Sequence, residues 1–207
     1  MTAAPSPPRL FVIFAARAHV AVVIRRGPSE WTRITSWNTD RDEFTGGAWF
    51  RGRILRREVR SSPDGQLLVV AAFQGRKLGT ETTDAWTAVS RAPWLHALAL
   101  WPMGTTYGGG GRFVDDRTLT LRGAGASHSD FPPRGLRIVD GPAPHHASTD
   151  DVEGAQWAGR DRRGRLVFAR DGRLYARAGS EDRVLADFTG ERPDPVDAPE
   201  WAKAPLR

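Results

Sequence analysis

Asp64-Gly65-Gln66-Leu67-Leu68-Val69 couples a turn dipeptide to an apolar strand. The beat returns at Asp116-Arg117-Thr118-Leu119-Thr120-Leu121 and at Arg163-Gly164-Arg165-Leu166-Val167-Phe168. Residues 65, 117 and 164 lie 52 and 47 positions apart. Self-similarity at about 40–50 residues marks stacked small sheets, each unable to bury its apolar face alone. The register reaches further back. Trp49-x-x-Gly52 and Trp101-x-x-Gly104 each place a Trp 16 residues before the turn, and Arg60 with Arg112 and Asp64 with Asp116 fall in step. A separate echo, Gln156-Trp157-Ala158 and Glu200-Trp201-Ala202, recurs after 44 residues. The competing reading is a β-sandwich whose hairpins look alike because few residues make tight turns.

No long window carries an apolar stripe at helical spacing. Short runs rich in Val, Ile, Leu, Phe, Trp and Thr alternate instead with Gly, Asp, Asn and Pro. They predict strands at 10–16, 20–25, 31–37, 54–60, 67–73, 85–90, 96–101, 118–122, 136–139, 165–170, 174–177 and 184–188. The fold class is therefore all-β. Asp171-Gly172 can supply the two positive-φ residues of a type I′ hairpin. Asn38, Asp40 and Asp42 read as caps in a longer one between Trp37 and Phe44.

At 207 residues the chain is read as one all-β repeat domain, 1–207, with an irregular excursion at 123–151 that holds Pro132, Pro133, Pro142 and Pro144. The absence of Cys excludes disulfides, thiolate metal sites and Cys nucleophiles. The net charge of +6 invites a polyanion partner, yet the basic residues are almost all Arg, with Lys at 77 and 203 alone, as GC-rich codon usage would give. Pro5, Pro7 and Pro8 occupy the place of a signal peptide's basic region, and no apolar run reaches membrane-spanning length. A cytoplasmic, non-membrane protein is expected.

Ser62-Pro63-Asp64-Gly65 followed by Leu67-Leu68-Val69-Val70-Ala71 resembles the blade signature of β-propellers of the TolB (WD40-like) type. Trp157 with Gly164-Arg165-Leu166-Val167-Phe168 and Gly172-Arg173-Leu174-Tyr175 is similar to a second such blade; Asp116-Arg117 departs further and lacks the Gly. The run 9–31 and Leu98-Ala99-Leu100-Trp101-Pro102 also resemble uncharacterised bacterial proteins, which imply no activity. The resemblance implies a small β-propeller or propeller-like array of about four blades. Trp201 resembles the opening of a blade that the chain does not continue, and 10–16 begins a blade without a Trp motif. The N- and C-terminal strands are therefore expected to close one sheet.

Candidate sites are few. Trp49, Arg51, Arg53, Arg57 and Arg60, with Arg56 between them, form a basic ribbon that could hold a nucleic acid or other polyanion by charge and stacking. Its plainer reading is a solvated sheet edge protected by charge. Arg160, Arg162, Arg163 and Arg165 beside Trp157 form a second basic cluster. His145 and His146 are weak metal candidates, adjacent on a Pro/Ala/Ser loop and so poorly spaced to aim two rings at one ion. The Gly108–Gly111 run lacks the Lys-Ser/Thr of a phosphate loop and reads as a close backbone passage. Ser127-His128-Ser129-Asp130 is too local for a triad. No catalytic residue, cofactor or metal is assigned. The leading expectation is a non-catalytic module with a protein partner, the alternative a nucleic-acid or polyanion binder, and the third a hydrolase using channel carboxylates.

Overall fold

The structure, a computed structural model, describes residues 6–75, 83–104, 109–121, 125–141 and 150–207. The protein is all-β. The first sheet is an antiparallel meander of β1 (Arg9–Phe14), β2 (Val20–Arg26), β3 (Trp31–Asn38) and β4 (Glu43–Arg51). The second runs β5 (Arg53–Ile54) and β6 (Arg60–Ser61), both paired to β7 (Leu67–Phe73), then β8 (Ala85–Arg91) and β9 (Ala99–Pro102). The third holds β10 (Gly111–Phe113), β11 (Thr118–Leu121) and β12 (Arg137–Asp140), the last pair parallel. The fourth is the meander β13 (Trp157–Arg160), β14 (Leu166–Arg170), β15 (Arg173–Ala178) and β16 (Glu181–Asp187). A short helix, α1 (Glu200–Lys203), follows.

The three beats occupy equivalent places. Asp64-Gly65, Asp116-Arg117 and Arg163-Gly164 lie in the turns β6–β7, β10–β11 and β13–β14, and Trp49 and Trp101 sit in the last strands of the first and second sheets. In the first of these turns Gly65 adopts φ +78° and its N–H donates to Ser62 O. Ser62 Oγ accepts from Leu67 N at 2.9 Å, and Asp64 Oδ1 from Gln66 N at 3.0 Å. The Pro-Asp-Gly chemistry thus closes the hairpin on its own donors. Asp171 and Gly172, at φ +49° and +76°, make the two-residue turn between Arg170 and Arg173 that their sequence predicts.

Strand alternation divides the core into layers. Leu10, Val12, Ala21, Val23 and Trp37 pack with Trp157, Val167, Ala169, Leu174, Ala176 and Phe188 between the first and fourth sheets. The opposite face of the first sheet, Ile13, Val22, Ile24 and Ile34, packs on Ile54, Val59, Leu68, Val70 and Ala72 of the second. Leu67, Val69, Val89, Ala99 and Trp101 then meet Phe113, Leu119 and Leu121 of the third. The packing order is fourth, first, second, third.

Two expectations are corrected. Among the described residues β1 pairs with β2 and stands at its sheet's edge, while Trp201 lies in α1, so the N- and C-terminal strands do not close one sheet. The Trp157/Trp201 echo therefore joins a strand to a helix. The segment 54–60 is also not one strand. The β5–β7 register pairs Ile54 with Ala72, whereas the β6–β7 register pairs Arg60 with Val69, which inserts three extra residues. They form the 3-10 turn Arg56–Glu58, a run of three charges that a buried ladder cannot hold. β4 escaped prediction because Gly46-Gly47 mimics a loop. A Cβ at Gly46 would lie 2.0 Å from Arg33 Nη2, and one at Gly47 2.3 Å from Pro93 O, so both glycines admit close neighbours within a strand.

Candidate anion-binding cleft

The seam between the first and second sheets changes chemistry along its length. In the β1–β2 register Ile13 opposes Val22, Phe11 opposes Ile24, and Arg9 opposes Arg26, all on the face turned toward the second sheet. Two apolar pairs are thus followed by a pair of like charges. From the second sheet Arg53 and Ile54 of β5, Leu55 and the Arg56–Glu58 turn face the same place. The seam opens there into a cleft of about 360 Å³.

Five arginines, Arg9, Arg26, Arg53, Arg56 and Arg57, line this cleft, and among the described residues none forms a salt bridge. Partial burial, together with the positive charges of Arg53, Arg56 and Arg9, pulls the Arg26 pKa below its usual value. The one carboxylate in the lining is Glu58. Burial pushes its pKa up, against the opposing pull of Arg60 and Arg57. The floor is apolar: Phe11 and Leu55 are half-buried in front of the buried Ile24 and Ile54. Such an arrangement can neutralise an anion by several forked donors at once while covering an apolar group.

The basic ribbon divides between this cleft and other roles. Arg53 and Arg57 line it. Arg51 pairs with Glu30, Nε to Oε1 at 2.6 Å. Arg60 turns onto its own chain, donating to Arg57 O at 2.9 Å and Val59 O at 2.7 Å. Trp49 is buried beneath the guanidiniums of Arg25 and Arg33, at 5.6 and 5.2 Å from its ring centroid, on the other face of the first sheet. Arg9 and Arg26 escaped sequence reasoning because they lie 17 residues apart. Counting outward from the turn between β1 and β2 would have paired them.

The second basic cluster is a clamp. Arg165 donates to Asp42 Oδ2 and Oδ1 at 2.8 and 2.9 Å, to Asp161 Oδ2 at 2.7 Å and to Thr39 O at 2.7 Å. Arg163 donates to Asp40 O and Arg162 to Ala16 O. These bonds tie the β13–β14 turn to the turns of the first sheet. At the glycine run, Gly110 has φ +82° and its N–H donates to Thr87 Oγ1 at 2.8 Å, while an added Cβ would stand 2.5 Å from Glu58 O. Gly110 thus serves close backbone approach, and so does Gly111, where a Cβ would stand 2.6 Å from Thr120 O.

Asp64 and Asp116, from two sheets, do come together, but Asp116 Oδ1 accepts Asp64 N at 3.0 Å and its Oδ2 accepts Arg17. Asp115 accepts Arg117 N and Thr118 N, which holds its pKa below the usual carboxylate range. Asp64 and Asp115 thus cap their own turns, and Asp116 links the turns of three sheets. His145 and His146 lie outside the described residues. Among the described residues no group of three His, Asp or Glu could hold a metal, and no helix is long and apolar enough to cross a membrane. No family model, curated protein or solved structure matches the chain.

Proposed function

We propose that the protein is a non-catalytic binding module on a four-bladed, propeller-like array, and that its ligand is anionic and enters the Arg9/Arg26/Arg53 cleft. The array reading rests on the placement of first strands, which in a propeller face the central axis. Here β1 packs against β6 and β13, and β6 against β10. The turns that follow these strands also meet on one side, through Arg17 N to Pro63 O, Asp64 N to Asp116 Oδ1 and Arg162 to Ala16 O.

A single observation carries the anionic reading: Arg9 stands directly opposite Arg26, with Arg53 and Arg56 beside them, and no carboxylate forms a salt bridge with any of the four among the described residues. Like charges directly opposite on a sheet are unfavourable, and a bound anion turns that repulsion into affinity. Calorimetric titration with inorganic pyrophosphate at low and high salt tests it. Binding should weaken with salt and fall by about tenfold or more in Arg26→Ala and Arg53→Ala. Equal binding by wild type and both variants would refute the cleft as the site.

The other reading, a protein partner, is favoured by Trp201, which is 55% exposed on α1. A complex anchored there would survive high salt and be lost in Trp201→Ala.

A further inference from the structure

We infer that the ligand of the arginine cleft is a small organic phosphate ester, a phosphate or diphosphate head carrying a compact apolar body. It is not an extended nucleic-acid strand. The inference rests on the anion-binding reading and adds the other half of the ligand. Three features carry it.

The first is the composition of the lining. A site for a bare anion needs donors alone. Here half-buried Phe11 and Leu55, with buried Ile24 and Ile54, line the same cleft as the five arginines. A head held by the arginines would bring its attached group onto that floor, and burial of apolar surface there adds affinity.

The second is size. At about 360 Å³ the cleft falls at the small end of ligand pockets, which run from roughly 300 to 1,000 Å³. It suits one compact molecule.

The third is where the positive charge stops. Binding of a strand needs a groove of basic and stacking groups that tracks the backbone. A neighbouring cleft of about 490 Å³ shares Arg26 and Arg53, but in it Arg51 is already paired to Glu30. On the other side Arg60 is half-buried, with its Nη1 turned back onto the carbonyls of Arg57 and Val59. Among the described residues, the ribbon's exposed arginines without a salt bridge, Arg53, Arg56 and Arg57, are therefore gathered at this one cleft.

The test is titration of the full chain with paired probes. Inorganic phosphate is compared with phenyl phosphate and with hexyl phosphate; pyrophosphate and an oligothymidine strand complete the set. At least one ester should bind about tenfold tighter than its bare head, the effect of burying roughly two methylene groups. Whichever ester gains identifies a planar or an aliphatic body. Leu55→Ser and Phe11→Ala should abolish the gain of ester over head, whereas Arg26→Ala should weaken head and ester alike. Because Phe11 also packs edge-on to Trp157 at 6.2 Å, Leu55→Ser is the variant that decides should Phe11→Ala unfold.

If each ester binds no tighter than its head, this inference fails and the anion site stands. If neither heads nor esters bind, both fail. If oligothymidine binds tighter than either ester with a steep salt dependence, the cleft belongs to a nucleic-acid surface and the inference is overturned.

Discussion

Gly164 and Gly172 share a backbone conformation, φ +76° at each, yet differ in what surrounds them. A Cβ at Gly164 would meet nothing within 4 Å. One at Gly172 would lie 2.8 Å from Pro8 Cδ and 2.9 Å from Thr189 Cγ2. Gly164→Ala should cost about 1–2 kcal/mol, the strain of a left-handed L-residue. Gly172→Ala should cost about 1–3 kcal/mol more, from overpacking. Urea denaturation of the two variants separates strain from contact, and equal losses would remove the packing role given to Gly172. Near the same hairpin, Asp187 accepts from Thr189 Oγ1 at 2.6 Å, Thr189 N at 2.9 Å and Arg173 Nε at 2.8 Å. The Thr189 hydroxyl, the Thr189 amide and Arg173, in that order, lower its pKa to about 2. A depressed carboxylate stabilises the fold above its unfolded pKa of about 3.9, and that stability is lost as the pH falls toward 2. The group is partly exposed, so solvent screens the effect and the gain is small. Asp187→Asn should lower the melting temperature at pH 7 and flatten its decline between about pH 4 and pH 2.

At the scale of the element, the doublet Arg25-Arg26 shows what a strand does with two like residues. They point to opposite faces of β2. Arg26 stands in the cleft with no salt bridge among the described residues, whereas Arg25, 3% exposed, donates to Phe188 O at 2.9 Å and Glu191 O at 3.0 Å. Arg33 adds a 2.8 Å bond to Glu191 Oε1, so a strap at 188–191 is fixed across the first sheet above Trp49. Arg25→Met leaves Glu191 without one of its two cations and frees both carbonyls. It should cost about 3 kcal/mol or more and raise amide exchange across the strap before the sheets exchange. Arg26→Met should leave stability unchanged or raised. Nothing in the doublet itself tells the two apart; the hairpin register does. The same lesson holds for 54–60. The strand pattern was legible in Ile54 and Val59, but the insertion that lifts Arg56 and Arg57 to the cleft follows from pairing with β7, a long-range choice. By contrast the β6–β7 and β14–β15 turns were legible because Gly and Asp fix backbone angles locally. The all-β class followed from short apolar runs, whereas the cleft depended on which face and which neighbour each arginine received.

For the whole molecule, the C-terminal residues show how the small third sheet is kept in place. Its strands are three or four residues long, and β12 joins in parallel through a long connection, so its own ladder is weak. Leu206 supplies what the ladder does not. It is buried among Leu67, Val69 and Val89 of the second sheet and Phe113, Leu119 and Leu121 of the third, and its Cβ would stand 2.8 Å from a Cβ at Gly135. Arg91 donates to Ala204 O and holds the tail against β8. The terminal segment is thus a wedge between two sheets, bound by side chains and not by strand pairing. Leu206→Ala should therefore cost about 2–4 kcal/mol, and Trp201→Ala, which removes a side chain more than half exposed, well under 1 kcal/mol. Removing residues 199–207 should lower the melting temperature at least as far as Leu206→Ala does, with amide exchange rising first in β10 and β11. If Trp201→Ala proved the costlier of the two single changes, the tail would be held by α1 instead, and the wedge between the second and third sheets would have to be abandoned.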